Sequence, residues 1–327
     1  MSLIFYNKTS GRKRILTEEQ LGNLVEKIVK GDRRAVARAI TIVESDPDAG
    51  LRVLEKLPKP TKQSPVIGVT GPPGVGKSTL IGRVVKELIT SGNRIGVLAI
   101  DPTSPFTGGA VLGDRLRMLE LSLMEQVFIR SMASKEGTGG IADATEAAAR
   151  ILEASGMDFI IIETVGAGQT DIEIAHVADF VMLVTMPELG DEIQSLKAGI
   201  LEIADIVVVN KADLPTADNT VRMLRNTLQS DIKIIKTSAT TGEGIKEITN
   251  ILTDLKRGIG VKDQAKRRKR VADALSQAIA KNLAKTLQQE QNQLILDTIE
   301  KIIAHQKTVK TAAQEITQQI IKKIQIK

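Results

Sequence analysis

The stretch that most limits what this chain can fold into is GVTGPPGVGKST, residues 68–79. An apolar run, Val66-Ile67-Gly68-Val69, breaks into glycines and prolines, then into a lysine and two hydroxyls. The spacing Gly71-x4-Gly76-Lys77-Ser78 is the full phosphate-loop pattern. Gly71, Gly74 and Gly76, with Pro72, Pro73 and Val75 between them, let the backbone curl so that successive N–H groups face one anion. Lys77 brings a mobile charge for the β and γ phosphates. The Ser78 hydroxyl, beside Thr79, is a hard oxygen donor for Mg²⁺. Leu80 to Ile89 has helical spacing, so the loop opens onto a helix N-terminus whose dipole also favours an anion. Strand, glycine loop and helix in this order read as a nucleoside triphosphate site in an α/β fold.

Between about 64 and 258, short β-rich runs alternate with helical stretches. Strands are expected at Val66–Thr70, Ile95–Ile100, Val127–Arg130, Phe159–Glu163, Phe180–Thr185, Ile206–Asn210 and Ile232–Thr237. Such alternation predicts a P-loop fold with a mainly parallel sheet flanked by helices and ligands at the carboxyl ends of the strands. Residues 1–60 read as an N-terminal helical extension: Thr17-Glu18-Glu19-Gln20 is a capping-box start, and helices follow from about Arg33 and Ala49. Pro58-Lys59-Pro60 marks the boundary to a P-loop domain over 61–260. Residues 261–327 are helical throughout, with apolar stripes at Ile279/Leu283/Leu287, Ile299/Ile302/Ile303 and Ile316/Ile320/Ile321. One-sided stripes require burial, against the main domain, a second copy or a partner.

Composition excludes more than it proves. The 327 residues contain no cysteine, and histidines only at 176 and 305, which removes disulfides, thiolate metal sites and a metal-transfer function. No apolar run approaches the roughly 20 residues of a membrane span, and no signal-peptide core opens the chain, so a cytoplasmic location is expected. The net charge of +6 is uneven: residues 262–327 hold 14 Lys/Arg against 6 Asp/Glu, and the rest is slightly acidic. Lys266-Arg267-Arg268-Lys269-Arg270 could track phosphates. The tail has no aromatic residue to stack on bases, so the run reads as a solvated helix face and no nucleic-acid partner is expected.

The base is readable as well. Asn210-Lys211-Ala212-Asp213 directly follows the strand Ile206–Val209, where an aspartate can accept from guanine N1–H and its exocyclic amine. Adenine presents an acceptor in that place and would leave the carboxylate unpaired. Ser238-Ala239 follows the next strand, where a backbone N–H can meet guanine O6. Phe159-Ile160-Ile161-Ile162-Glu163-Thr164-Val165-Gly166 ends a buried strand in a carboxylate, with a glycine three residues on. That pattern suits Mg²⁺ and γ-phosphate sensing. Small GTPases place a water-orienting glutamine directly after this glycine; here Ala167 stands there, so unassisted hydrolysis is expected to be slow or to use another residue.

At this point a resemblance becomes specific. IDPTSPFTGGAVLGDRLRM (100–118), MASKEGTGGI (132–141), ETVGAGQTD (163–171) and ELGDEIQSLKAGILEIADIVVVNKAD (188–213) resemble the MeaB/ArgK family. These are the methylmalonyl-CoA-mutase-associated GTPase chaperones, once described as arginine/ornithine (LAO/AO) transport ATPases or kinases. The likeness implies that Lys77, Ser78 and Thr79 bind phosphates and Mg²⁺. It puts Asp101 and Asp114 in a first switch, with Glu163 and Gly166 in a second. A third mobile switch would span 187–199, with Asp191, Glu192 and Lys197 its working residues. Asp101 and Asp114 would also suit plain capping roles, and Lys197 a solvated helix charge. The chain departs from the commoner family wording at Ala167 and Asp171. The resemblance further implies a Mg²⁺-dependent GTPase that gates and protects cofactor loading on a cobalamin-dependent acyl-CoA mutase. It implies a homodimer through the C-terminal helices, and no cobalamin held permanently by this chain. The alternative from a different class is an ATPase or kinase linked to arginine/ornithine transport.

Overall fold

Seven strands pair in parallel in the computed structural model of the chain. They are β1 (Val66–Thr70), β2 (Ile95–Pro102), β3 (Val127–Ser134), β4 (Phe159–Glu163), β5 (Phe180–Thr185), β6 (Ile206–Val209) and β7 (Lys233–Lys236). Their order across the sheet is β3-β2-β4-β1-β5-β6-β7, which sets the strand before the glycine loop at the centre. The structure describes residues 16–60, 64–102, 119–134, 140–164, 166, 174, 176–187, 200–227, 232–258, 268, 272, 275–276, 279–280, 293–304 and 306–325.

The central strands are near-continuous apolar runs because both faces of the sheet are covered. On one face lie α4 (Lys77–Thr90) and α9 (Ile245–Lys256), numbering the helices in chain order. Leu80, Ile81, Val84 and Leu88 recur every three or four residues on the first of these helices. They share a core with Ile248 and Leu252 and with Ile67, Val69, Phe159, Ile161 and Val208 of the sheet. The other face carries α1 (Glu18–Val29), α2 (Arg33–Ser45), α3 (Pro47–Lys56) and α6 (Gly140–Ala154). There Leu21, Ile28, Val36, Ile40, Val53, Ile151 and Leu152 share one core with Leu98, Ile100, Ile160 and Ile162. Each such aliphatic side chain contributes roughly 1.5–3 kcal/mol on leaving water, so the N-terminal helices are a layer of the fold. Further along the sheet, Val221 and Leu224 of α8 (Ala217–Thr227) cover Leu183, Val207 and Val209. Two short helices, α5 (Leu119–Ser122) and α7 (Ile200–Ile203), precede β3 and β6.

The capping box at Thr17 forms: its hydroxyl accepts from Gln20 N, and the Gln20 side chain accepts from Thr17 N, both at 3.2 Å. The third helix starts earlier than its apolar spacing suggests, because Asp46 caps Ala49 N and Pro47 takes the first helical position. β2 and β3 outrun their apolar stretches. They lie side by side in register through Asp101↔Ala133 and Pro102↔Ser134, so the ladder between them carries the extended backbone onward.

The chain divides into two compact units, Met1–Gln264 and Ala265–Lys327. The second contains α10 (Gln293–Ile303) and α11 (Val309–Gln325). Of its apolar stripes, Ile279 and Ile303 are exposed at 58% and 66%, and so are Leu275 and Val309. Leu283 and Leu287 lie outside the described residues, as do the side chains of Ile320 and Ile321. Among the described residues no helix is long and apolar enough to cross a membrane.

Candidate nucleotide site

The loop after β1 is a place only glycine fits at its first position. Gly71 has φ +142°, and a Cβ there would lie 1.9 Å from the carbonyl oxygen of Val184 on the neighbouring strand. The chain then crosses Pro72, Pro73 and Gly74, and Val75 is buried in the core beneath. Gly76, in the left-handed region, caps α4, whose first residues are Lys77 and Ser78. Both side chains are buried, while Thr79 faces outward. The Lys77 ammonium donates to the carbonyls of Gly71 at 2.7 Å and Pro72 at 3.0 Å, which holds it over its own loop.

Glu163 ends β4, in register with Val69, and so arrives beside the glycine loop. The Ser78 hydroxyl donates to its carboxylate at 2.6 Å, and both residues are over nine-tenths buried. A buried hydroxyl and a buried carboxylate in contact form a hard-oxygen pair, the donor chemistry Mg²⁺ prefers. These residues fit that ion. Gly166 closes over the same spot with φ +85°. A Cβ there would lie 1.8 Å from the Gly71 carbonyl oxygen and 3.0 Å from the Lys77 ammonium. The segment after Glu163 therefore touches both the loop and its lysine.

A second cluster is assembled across the sheet. Asn210, buried at the end of β6, donates to the Val75 carbonyl at 2.8 Å. Its side-chain oxygen accepts from the Thr237 hydroxyl and from Ala239 N, both at 3.3 Å. One amide thus ties the phosphate loop to the loop after β7. Lys211 adopts φ +55°, a conformation that costs a non-glycine residue about 1–3 kcal/mol and tends to mark functional sites. Its ammonium donates to Gly74 O at 3.0 Å and lies 3.1 Å from the Met186 sulfur. Asp213 is exposed on the same rim, and Ser238 is fully buried.

Of the residues singled out in the sequence, Lys77, Ser78, Glu163 and Gly166 come together at the phosphate end. Asn210, Lys211, Ser238 and Ala239 come together beyond the ends of β6 and β7. Asp101 falls within β2 and not in the loop beyond it; its side chain lies outside the described residues. Asp114, Lys197, Asp191, Glu192, Ala167 and Asp171 also lie outside them. Sequence reasoning missed Met186 as a neighbour of Lys211, and Arg83, whose guanidinium donates to Ala239 O at 2.8 Å and Thr240 O at 3.0 Å. Neither carries a motif that would have flagged it.

Two rims on one edge of a parallel sheet, one shaped for phosphates and one joined to it by Asn210, define a P-loop GTPase. Within that class, the family model described as methylmalonyl-CoA mutase-associated GTPase MeaB matches residues 36–292, and the chain belongs to that family. A Pyrococcus horikoshii protein provisionally named a GTPase is 45% identical over 284 residues, covering 83% of this chain and 89% of its own. GTPase ArgK of Escherichia coli is 33% identical over 258 residues, 74% of this chain and 78% of its own. The mouse mitochondrial methylmalonic aciduria type A homolog is 35% identical over 254 residues, 69% of this chain and 61% of its own. The crystal structure of a protein described as an LAO/AO transport system kinase shares the fold with a TM-score of 0.70 at 24% identity, covering 94% of this chain and 99% of that one. The chain is a GTP hydrolase of MeaB/ArgK type, a class that binds a guanine nucleotide and usually Mg²⁺.

Proposed function

We propose that this GTPase is a nucleotide-governed switch serving a cobalamin-dependent acyl-CoA mutase of the methylmalonyl-CoA type, gating its cofactor loading and protecting the loaded enzyme. The observation that carries the reading is the match to a mutase-associated GTPase family over residues 36–292. The contact of Gly166 with Gly71 and Lys77 supports the switch part, because a γ-phosphate held by Lys77 would meet Gly166.

In this reading the 71–76 backbone and Lys77 hold the β and γ phosphates. Ser78 and Glu163 would hold Mg²⁺, with Asp101 and Asp114 supplying further oxygens or ordering its waters. The ion would neutralise charge on the phosphate oxygens. Water attacks the γ-phosphorus, the bond to the β–γ bridging oxygen breaks, and phosphate leaves GDP behind. Lys77 would stabilise the negative charge that develops in that step. Asp213 accepts from the two guanine donors, and Lys211 and Asn210 form the rest of the base pocket with Ser238 and Ala239. Lys197 would act from the third switch.

Co-purification from the native host, once with GDP and once with a non-hydrolysable GTP analogue, tests the partner. Retention of a cobalamin-dependent mutase in either state supports it; a host that makes such a mutase yet yields none in both states overturns it. The proposal includes a homodimer through 261–327, supported by exposed Leu275, Ile279, Ile303 and Val309. Light scattering on the full chain and on a 262–327 deletion checks this: a monomeric full chain at micromolar concentration refutes it. The alternative, a transport-linked ATPase or kinase, takes its support from the structural neighbour described as a transport system kinase. Competition between GTP and ATP for the site separates the two.

A further inference from the structure

We propose that Arg83, on the outward side of α4, is a positioning residue for guanine recognition that works through the loop after β7. This rests on the reading of residues 210–213 and 237–240 as the base pocket. The loop is short and cross-braced. Ser238 N donates to Glu243 O at 3.1 Å, Gly242 N to Ser238 O at 2.8 Å, and Thr241 N to the Ser238 hydroxyl at 3.3 Å. Inside it, Ala239 N reaches the Asn210 side chain at 3.3 Å. From outside it, the two arms of one guanidinium take successive carbonyls: Nε donates to Ala239 O at 2.8 Å and an Nη to Thr240 O at 3.0 Å.

The geometry of the peptide unit gives this fork its consequence. No peptide bond described is cis, so within each plane the C=O and the following N–H point in opposite directions. Holding Ala239 C=O outward on α4 turns Thr240 N–H back across the loop. Holding Thr240 C=O outward turns Thr241 N–H the same way, which is where it meets the Ser238 hydroxyl. Guanine presents an acceptor at O6, and adenine presents an amino group in that position. An inward-facing N–H therefore favours guanine and leaves adenine with two opposed donors. A guanidinium is suited to this task because its planar fork fixes two acceptors at once, which a single ammonium cannot do. Arg83 also links the base loop to the helix that begins with Lys77 and Ser78, so base and phosphate subsites share one rigid element.

The test is Arg83→Met, which keeps most of the aliphatic stem and removes the donors, with Arg83→Lys beside it. Affinities for GDP, IDP and ADP are measured by calorimetry on the full chain, together with kcat and KM for GTP. IDP keeps O6 and lacks the 2-amino group that Asp213 would read. GDP and IDP should weaken together by about 5- to 20-fold in Arg83→Met, with ADP within about twofold. KM for GTP should rise while kcat stays within about twofold, and Arg83→Lys should recover part of the loss. Unchanged GDP and IDP affinity overturns the proposal, as does an equal loss for GDP, IDP and ADP, which would mark a merely structural contact. Loss of GDP affinity with IDP spared also overturns it, since that pattern belongs to Asp213. A wild-type protein with no preference for GDP over ADP removes the guanine-pocket reading itself, and this proposal with it.

Discussion

At the phosphate end, the lysine finds its partners five and six residues back, at Pro72 and Gly71. At the proposed base end, Asn210 reaches Val75 across 135 residues, and Arg83 reaches Ala239 across 156. The first arrangement needs little beyond one strand, one turn and one helix. The second exists only when β1, β6 and β7 lie in one sheet. Phosphate binding should therefore tolerate local damage elsewhere, whereas base discrimination should depend on distant anchors. The pair Ser78–Glu163, 85 residues apart, stands between the two: it joins the local loop to the end of β4.

The largest effect that could break this comparison is at Lys77. Lys77→Ala should lower kcat by about 100-fold or more with the fold intact by circular dichroism, because the charge acts mainly where transition-state charge develops. Hydrolysis surviving within about tenfold, a loss of about 1.4 kcal/mol, would remove Lys77 from the site.

Asp213→Asn comes next. GTP affinity should fall by about 100-fold and xanthosine triphosphate should gain, because the new amide donates where guanine also donates and xanthine accepts. A competition titration in which GTP remains preferred over the xanthine nucleotide would sink the role of Asp213.

Gly166→Ala sharpens the phosphate side. The added methyl would fall 1.8 Å from the Gly71 carbonyl oxygen at φ +85°, so the segment must move off the loop. A roughly tenfold drop in kcat is expected, with GDP affinity within about threefold, since GDP lacks the γ-phosphate that the segment would sense. Equal losses for GDP binding and turnover would mean that the glycine supports the loop and not the switch.

The smallest effect lies on the surface of the base side, where Lys236 pairs with Asp218 at 2.8 Å. The hydrogen bond that Lys236 donates to Asp218 holds the Asp218 carboxyl below its ordinary value of 3.8, and the same bond holds the Lys236 ammonium above 10.5. The carboxylate's contribution is thus full above 3.8 and lost as pH falls through the lower folded value. The ammonium's contribution is full below 10.5 and lost as pH rises through the higher folded value. Asp218→Asn should shift the melting temperature only slightly near neutrality, and not at all at low pH or high salt, where the pair is discharged or screened. A large shift at neutral pH would give this surface pair more weight at the base end than its exposure suggests.

Much of the fold was open to reading in one dimension because its causes are local or periodic. The glycine loop is a run of backbone demands met by adjacent residues, and Thr17-x-x-Gln20 forms its capping box from a single turn. The central apolar runs declare themselves because those strands are buried on both faces, as in Phe159–Glu163, whereas the edge strand Lys233–Lys236 keeps both its lysines exposed. Asn-Lys-x-Asp was legible because it follows such a run directly. The tertiary structure decided what depends on which segments become neighbours. Pairing with β3 carries β2 on through Asp101 and Pro102. The approach of Gly166 to Gly71 depends on β4 lying beside β1. Arg83 is the clearest case: an exposed arginine on a helix carries no signal of its own. It gained two carbonyl partners only because α4 and α9 pack on the same face of the sheet, with the loop after β7 leading into α9.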